Sequence, residues 1–164
     1  MKEIVIPLDS LKVPREICDI MEKAHVKWYT YTFISKSNGI INHGKTSDSE
    51  WKSNSWRTRI YRKAGGINGW PKKINCKASN DMSALMEKYL PNVMKDEIII
   101  VVHDYTQDLQ NKHISEIDRT LLNEEDKLVK SYVQTYGTQP ILNIKKTQRY
   151  YVSNTNHFNS LFCA

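Results

Sequence analysis

Hydrophobic positions recur along this chain with two different periods. Ile17, Ile20, Met21 and Ala24 repeat at helical spacing, with Pro14 at a tolerated first-turn position, so a helix is predicted between Pro14 and Val26. The following run, Val26-Lys27-Trp28-Tyr29-Thr30-Tyr31-Thr32-Phe33-Ile34, is aromatic and β-branched and reads as a strand. Ser37-Asn38-Gly39 is a turn signal, because Asn-Gly accepts the positive φ of a tight hairpin. Ile40 to Gly44 is the returning strand, and the hairpin ends at Gly44-Lys45-Thr46.

Helical spacing returns at Trp56, Ile60 and Ala64, capped by Asn54 or Ser55 and stopped by Gly65-Gly66. Gly65 to Asn80 is rich in Gly, Lys and Asn and reads as a loop; Asp81 to Met94 holds a short helix interrupted near Pro91. Glu97 to Tyr105 reads as a strand buried on both faces. Ser115 opens a long helix, with Asp118 completing an imperfect capping box, and Gly137 ends it before Pro140-Ile141-Leu142-Asn143. The expected fold is α+β: a small sheet of about three strands, antiparallel or mixed, flanked by helices.

A chain of 164 residues, 40% of them hydrophobic, suits one domain with a modest core. Its longest apolar run, Ile98 to Val102, falls far short of the roughly 20 residues that cross a bilayer, so no membrane partner is expected. The N-terminus lacks the apolar stretch and cleavage site of a signal peptide. Cys18, Cys76 and Cys163 are odd in number and scattered, which argues against a disulfide framework or zinc cluster and for a reducing, cytoplasmic setting.

Net charge is +6, but its distribution says more. Between Trp51 and Asn80 lie eight basic residues and no acidic one: Lys52, Arg57, Arg59, Arg62, Lys63, Lys72, Lys73 and Lys77. From Asp81 to Asp126 the balance reverses, to eleven acidic against four basic. A stretch without carboxylates suits a polyphosphate partner, since each phosphate contact releases a counterion. A solvated surface with chance clustering explains such a stretch about equally well by itself. If the partner is duplex DNA, Lys52, Arg59, Arg62, Lys63, Lys72, Lys73 and Lys77 are candidates for phosphates, and Asn68 for base edges.

The order of elements, and residues within it, resemble the GIY-YIG nuclease family. Tyr29-Thr30-Tyr31 stands where the family's first triplet falls, and Asn42-His43-Gly44-Lys45-Thr46 where the second does, with Tyr31 thirteen residues before Gly44. Arg57 and Tyr61 match the family's helical arginine and the His or Tyr one turn later. Glu125-Asp126-Lys127-Leu128-Val129-Lys130 matches its glutamate pattern, and Pro140-Ile141-Leu142-Asn143 its Pro-x-x-Asn close. The likeness spans roughly residues 28 to 143, as a nuclease-like domain with a basic insertion near 64–80. It leaves 1–27 as an N-terminal helical extension and 144–164 as a basic, aromatic tail. Asn42 departs from the family's tyrosine and Tyr29 from its glycine. The long spacing between Lys45 and the arginine helix resembles the restriction-enzyme members.

The resemblance implies a metal-dependent endodeoxyribonuclease, sequence-specific, of restriction or mobile-element type. It gives Tyr31 the role of base or water-positioning group, Arg57 the scissile phosphate, and Tyr61 an assisting hydroxyl. Glu125 would hold one Mg²⁺ or Mn²⁺, and Asn143 would support the region from behind. A free phenol titrates near pH 10, which costs about 4 kcal/mol at neutral pH, so Tyr31 needs a cation nearby; Lys45 across the hairpin is the candidate. Arg59 is the alternative arginine, and His43 the alternative base, although its middle position in the second triplet favours a buried structural histidine. Double-stranded DNA is the implied partner, and a homodimer would match a two-fold site if both strands are cut. Two other readings compete: a non-catalytic DNA-binding module of the same fold, and a protein unrelated to nucleic acid with an incidental basic stretch.

Overall fold

The structure is a computed structural model that describes residues 1–46, 58–67 and 77–143, with 58, 59 and 77–81 as backbone only. Four strands form one antiparallel sheet: β1 (Lys2–Pro7), β2 (Tyr29–Ser35), β3 (Gly39–Lys45) and β4 (Ile98–Asp104), in the order β1-β4-β2-β3. The helices are α1 (Glu16–Lys23), α2 (Thr58–Ile67), α3 (Lys77–Tyr89) and α4 (Ile114–Tyr136), with a short 3₁₀ turn at Ile141–Asn143. The α+β class is as expected, with one strand more. That strand is β1, which pairs along its whole length with β4, so the first 27 residues supply a sheet edge as well as α1. Its short Ile-Val-Ile core was too brief a pattern to stand out.

The hairpin forms as its sequence dictates. Gly39 takes φ +73° at the turn, which a residue without Cβ adopts freely. The β2–β3 register then pairs Tyr31 with Gly44, Thr32 with His43, and Thr30 with Lys45. Directly paired residues share a face, so Tyr29, Tyr31 and Phe33 point one way and Thr30, Thr32, His43 and Lys45 the other.

The two faces are covered differently. On the first, the three aromatics join Ile98, Ile100 and Val102 of β4 and pack against Ile17 and Met21 of α1, Ile60, Ala64 and Ile67 of α2, Met86 of α3 and Leu90 just after it. Each such fully buried side chain contributes roughly 1.5–3 kcal/mol. A one-residue slip of β2 would exchange these aromatics for Thr30 and Thr32, so the register is firmly held. On the second face α4 lies over β2 and β3, with a small separate cluster of Leu109, Ile117 and Leu121 beside Trp28 and Tyr105.

Three local expectations change. α2 continues through Gly65 and Gly66, which are buried, so close packing overrides their weak helix propensity. β4 is not buried on both faces: Ile98, Ile100 and Val102 are buried and Ile99 and Val101 only partly, because β1 and β4 extend beyond the cover of α4. The N-cap of α4 is His113, whose side chain accepts from Ser115 N–H, in place of the Ser115–Asp118 box; Gly137 ends the helix at φ +75°. No helix among the described residues is long and apolar enough to cross a membrane.

Candidate functional site

Tyr31 lies fully buried in the middle of the sheet, its ring 6.1 Å from that of Tyr29 and 5.7 Å, edge-on, from that of Phe33. The hydroxyl end of the ring covers Gly44. A Cβ at Gly44 would fall well inside van der Waals distance of Tyr31 Cζ, Oη and Cε2. Glycine is therefore required at position 44 by the tyrosine opposite, which joins two residues that the sequence associated only by spacing.

Beside this pair, β3 is a sheet edge whose outward backbone groups need partners. Asn143 supplies them. Its Oδ1 accepts from His43 N–H at 2.7 Å, and its Nδ2 donates to His43 O at 3.0 Å. The same Oδ1 accepts from Asn42 Nδ2 at 3.1 Å. One side-chain amide thus serves as a miniature neighbouring strand, held in place by the 3₁₀ turn after α4.

Asn42 in turn accepts from Lys63 Nζ of α2 at 3.5 Å, and that ammonium lies 5.2 Å from the centroid of the Tyr31 ring. Tyr31, Asn42, Gly44, Lys63 and Asn143 therefore form one cluster drawn from β2, β3, α2 and the final turn. The sequence marks Lys63 only as a candidate phosphate contact. The sequence signal for its position was its place immediately before Ala64, at the margin of the Ile60–Ala64–Ile67 stripe.

Lys45 does not join the cluster. Paired with Thr30, it projects from the opposite face, where its Nζ lies 3.4 Å from Asp118 Oδ1 of α4 and donates to Thr46 O at 3.1 Å. The cation expected beside Tyr31 is thus Lys63 and not Lys45. Alternation along β3 explains this: a residue next to Gly44 points away from Gly44's face.

His43 shares the Lys45 face and is buried, with Nδ1 2.8 Å from Thr32 Oγ1. Burial, with a smaller contribution from His103, lowers its pKa to about 4. It is neutral at physiological pH, as expected of a structural histidine. His103, half-buried on β4, is also lowered by burial, against the opposing pull of Glu3, whose Oε1 lies 3.5 Å away.

Glu125 is half-buried on α4. It follows Asp118 by two turns, about 10 Å further along α4, the helix that covers the Lys45 face, so the contacts that build the Tyr31 cluster do not include it. Its neighbours differ from it: Glu124 accepts from Tyr105 Oη at 3.3 Å and pairs with Lys127 at 2.7 Å, while Asp126 is exposed. Burial first, then the Glu124 charge, push the Tyr105 phenol up to about 12, which keeps it a donor to Glu124. No group of three or more His, Cys, Asp or Glu side chains comes together among the described residues. A single half-buried carboxylate fits Mg²⁺, which keeps most of its waters and takes its remaining ligands from a phosphate, and not a protein-caged metal.

Tyr61 is half-buried against the core. Positions 61 and 63 flank the Ile60–Ala64–Ile67 stripe on opposite sides, roughly 160° apart around the helix. Arg62 is half-buried. Arg59 and Lys77 lie at helix starts whose side chains are not described, and Arg57, Lys52, Asn68, Lys72 and Lys73 lie outside the described residues. No family model, no curated protein and no solved structure matches the chain, so the resemblance rests on the residues assembled here.

Proposed function

We propose that the protein is a divalent-metal-dependent endonuclease acting on duplex DNA. The observation that carries the reading is the convergence of Tyr31, Gly44 and Asn143. Tyr31 packs directly on Gly44, and Asn143, about 100 residues further on, bonds the adjoining His43 backbone and the Asn42 side chain. In this reading Tyr31 takes or positions the proton of the attacking water, and an arginine of α2 neutralises the scissile phosphate. Arg59 stands in α2 one turn before Lys63, and Arg57 lies outside the described residues; both remain candidates. Glu125 would hold the Mg²⁺, which when bound would stabilise charge on the phosphate and leaving oxygen; because α4 covers the hairpin face opposite Tyr31, this is the assignment that Glu125→Ala tests most directly. Lys45 is left to tie α4 to the hairpin.

The full burial of Tyr31 and the asparagine at position 42 favour a second reading, a DNA-binding module of the same fold without catalysis. Supercoiled plasmid incubated with the purified chain separates the two. The nuclease reading expects Mg²⁺-dependent nicked, linear or discretely cut products. It expects cleavage to fall about 10²- to 10⁴-fold in Tyr31→Phe, and to be lost in Glu125→Ala with DNA binding retained. Salt-dependent binding with no strand breakage in the unsubstituted protein establishes the module instead. Undiminished cleavage by Glu125→Ala removes that residue from the site.

A further inference from the structure

Tyr31, if it handles a proton, must be able to approach its phenolate form, and burial alone opposes that. The sequence offered Lys45 as the compensating cation, but Lys45 lies on the other side of the sheet against Asp118. A different ammonium occupies the Tyr31 side. Lys63 Nζ is 5.2 Å from the ring centroid, and its orientation is fixed from behind by Asn42 Oδ1 at 3.5 Å. Asn42 is itself held by Asn143, which is anchored twice to the His43 backbone. A flexible lysine on a helix margin can extend to water, and this amide relay favours the conformer that keeps the charge near the ring.

We propose that Lys63 is a positioning residue that primes Tyr31 for deprotonation, with Asn42 as its holder. The asparagine at the position of the family's tyrosine then has a task of its own: a carbonyl oxygen that accepts from an ammonium, which a second phenol would serve less directly. The inference rests on the nuclease reading for its purpose, but the electrostatic coupling it describes is measurable without cleavage.

The test is a titration of the full chain carrying ¹³Cζ-tyrosine, followed by NMR between pH 7 and 11, with Tyr31→Phe identifying the Tyr31 signal. In Lys63→Met the Tyr31 midpoint is expected to rise by about one pH unit or more, and in Lys63→Arg to stay close to the parent value. Lys63→Gln serves in place of Lys63→Met should the apolar variant not fold, with the same expected rise. An unchanged Tyr31 midpoint in the neutral variant, or an equal rise in Lys63→Arg, overturns the proposal. Where the parent protein cuts plasmid, Lys63→Met should cut about tenfold more slowly at pH 7.5 and recover towards the parent rate as pH rises. A pH-independent loss contradicts priming. A parent protein that does not cut, while its Tyr31 midpoint follows the charge at position 63, removes the nuclease reading and leaves the coupling standing.

Discussion

The two faces of the β2–β3 hairpin are built from alternate residues of the same two strands, yet they solve opposite problems. The Tyr31 face is aromatic and apolar and draws a cation, Lys63, from a helix. The opposite face buries Thr30, Thr32 and His43 beneath α4 and closes with the Lys45–Asp118 pair. On the first, a charge is held against a group whose ionised form it favours. On the second, burial keeps an ionisable ring neutral. A hairpin can therefore separate an environment that favours charge on a ring from one that keeps a ring inert by the 2-residue alternation of its strands alone, so that neighbours in sequence such as Gly44 and Lys45 belong to different environments.

The largest effect expected is on the inert face, and it depends on pH. His43 accepts a proton near pH 6.5 in the unfolded chain but only near pH 4 when folded. Between those values the unfolded state binds more protons, so stability is complete above about pH 6.5 and is lost as pH falls towards 4. The loss is expected to reach about 3 kcal/mol, before any contribution from His103, which shifts in the same direction. Denaturant unfolding at a series of pH values measures it, and His43→Leu should flatten the slope. A slope unchanged in that variant would assign the acid sensitivity to other groups and blur the contrast between the faces.

On the Tyr31 face, Gly44→Ala should destabilise by about 1–3 kcal/mol, because the new methyl overlaps the Tyr31 ring. The cost should shrink when Tyr31 is first replaced by Leu. A double-mutant cycle showing no coupling would mean that the ring does not rest on position 44. The smallest effect should come from the ion pair on the inert face. Asp118 is 42% exposed and Lys45 12%, so solvent screens the interaction. Lys45→Met is expected to change stability by less than about 1 kcal/mol, and by still less in high salt. A loss of several kcal/mol would make Lys45 a principal support of α4.

The hairpin, its turn, and the long helix with its glycine stop were legible because each carries a local signal: a strand-like aromatic run, Asn38-Gly39, and Gly137 after an amphipathic stripe. β1 was not, because six residues with one buried side chain look like any short apolar segment until β4 pairs with them. In the site, spacing was enough to associate Tyr31 with Gly44. It could not say which lysine accompanies them, since that depends on the side of the sheet where α2 packs. Glycines 65 and 66 misled for a related reason: helix propensity is a local preference, and tight packing among buried neighbours overrules it.

Asn143 has a consequence in time as well as in space. It pairs with the His43 backbone on the outer edge of β3 from 100 residues away. A growing chain can therefore form its hairpin early, but that hairpin keeps an open, pairing-competent rim until the segment after α4 arrives, and closure over so long a loop is slow. In the finished protein the His43 amide should exchange with solvent at a rate set by that one side chain. Asn143→Ala should release this amide selectively while leaving the amides paired between β2 and β4 protected, as hydrogen exchange would record. The last turn thus seals the edge beside Tyr31 from the far end of the described chain.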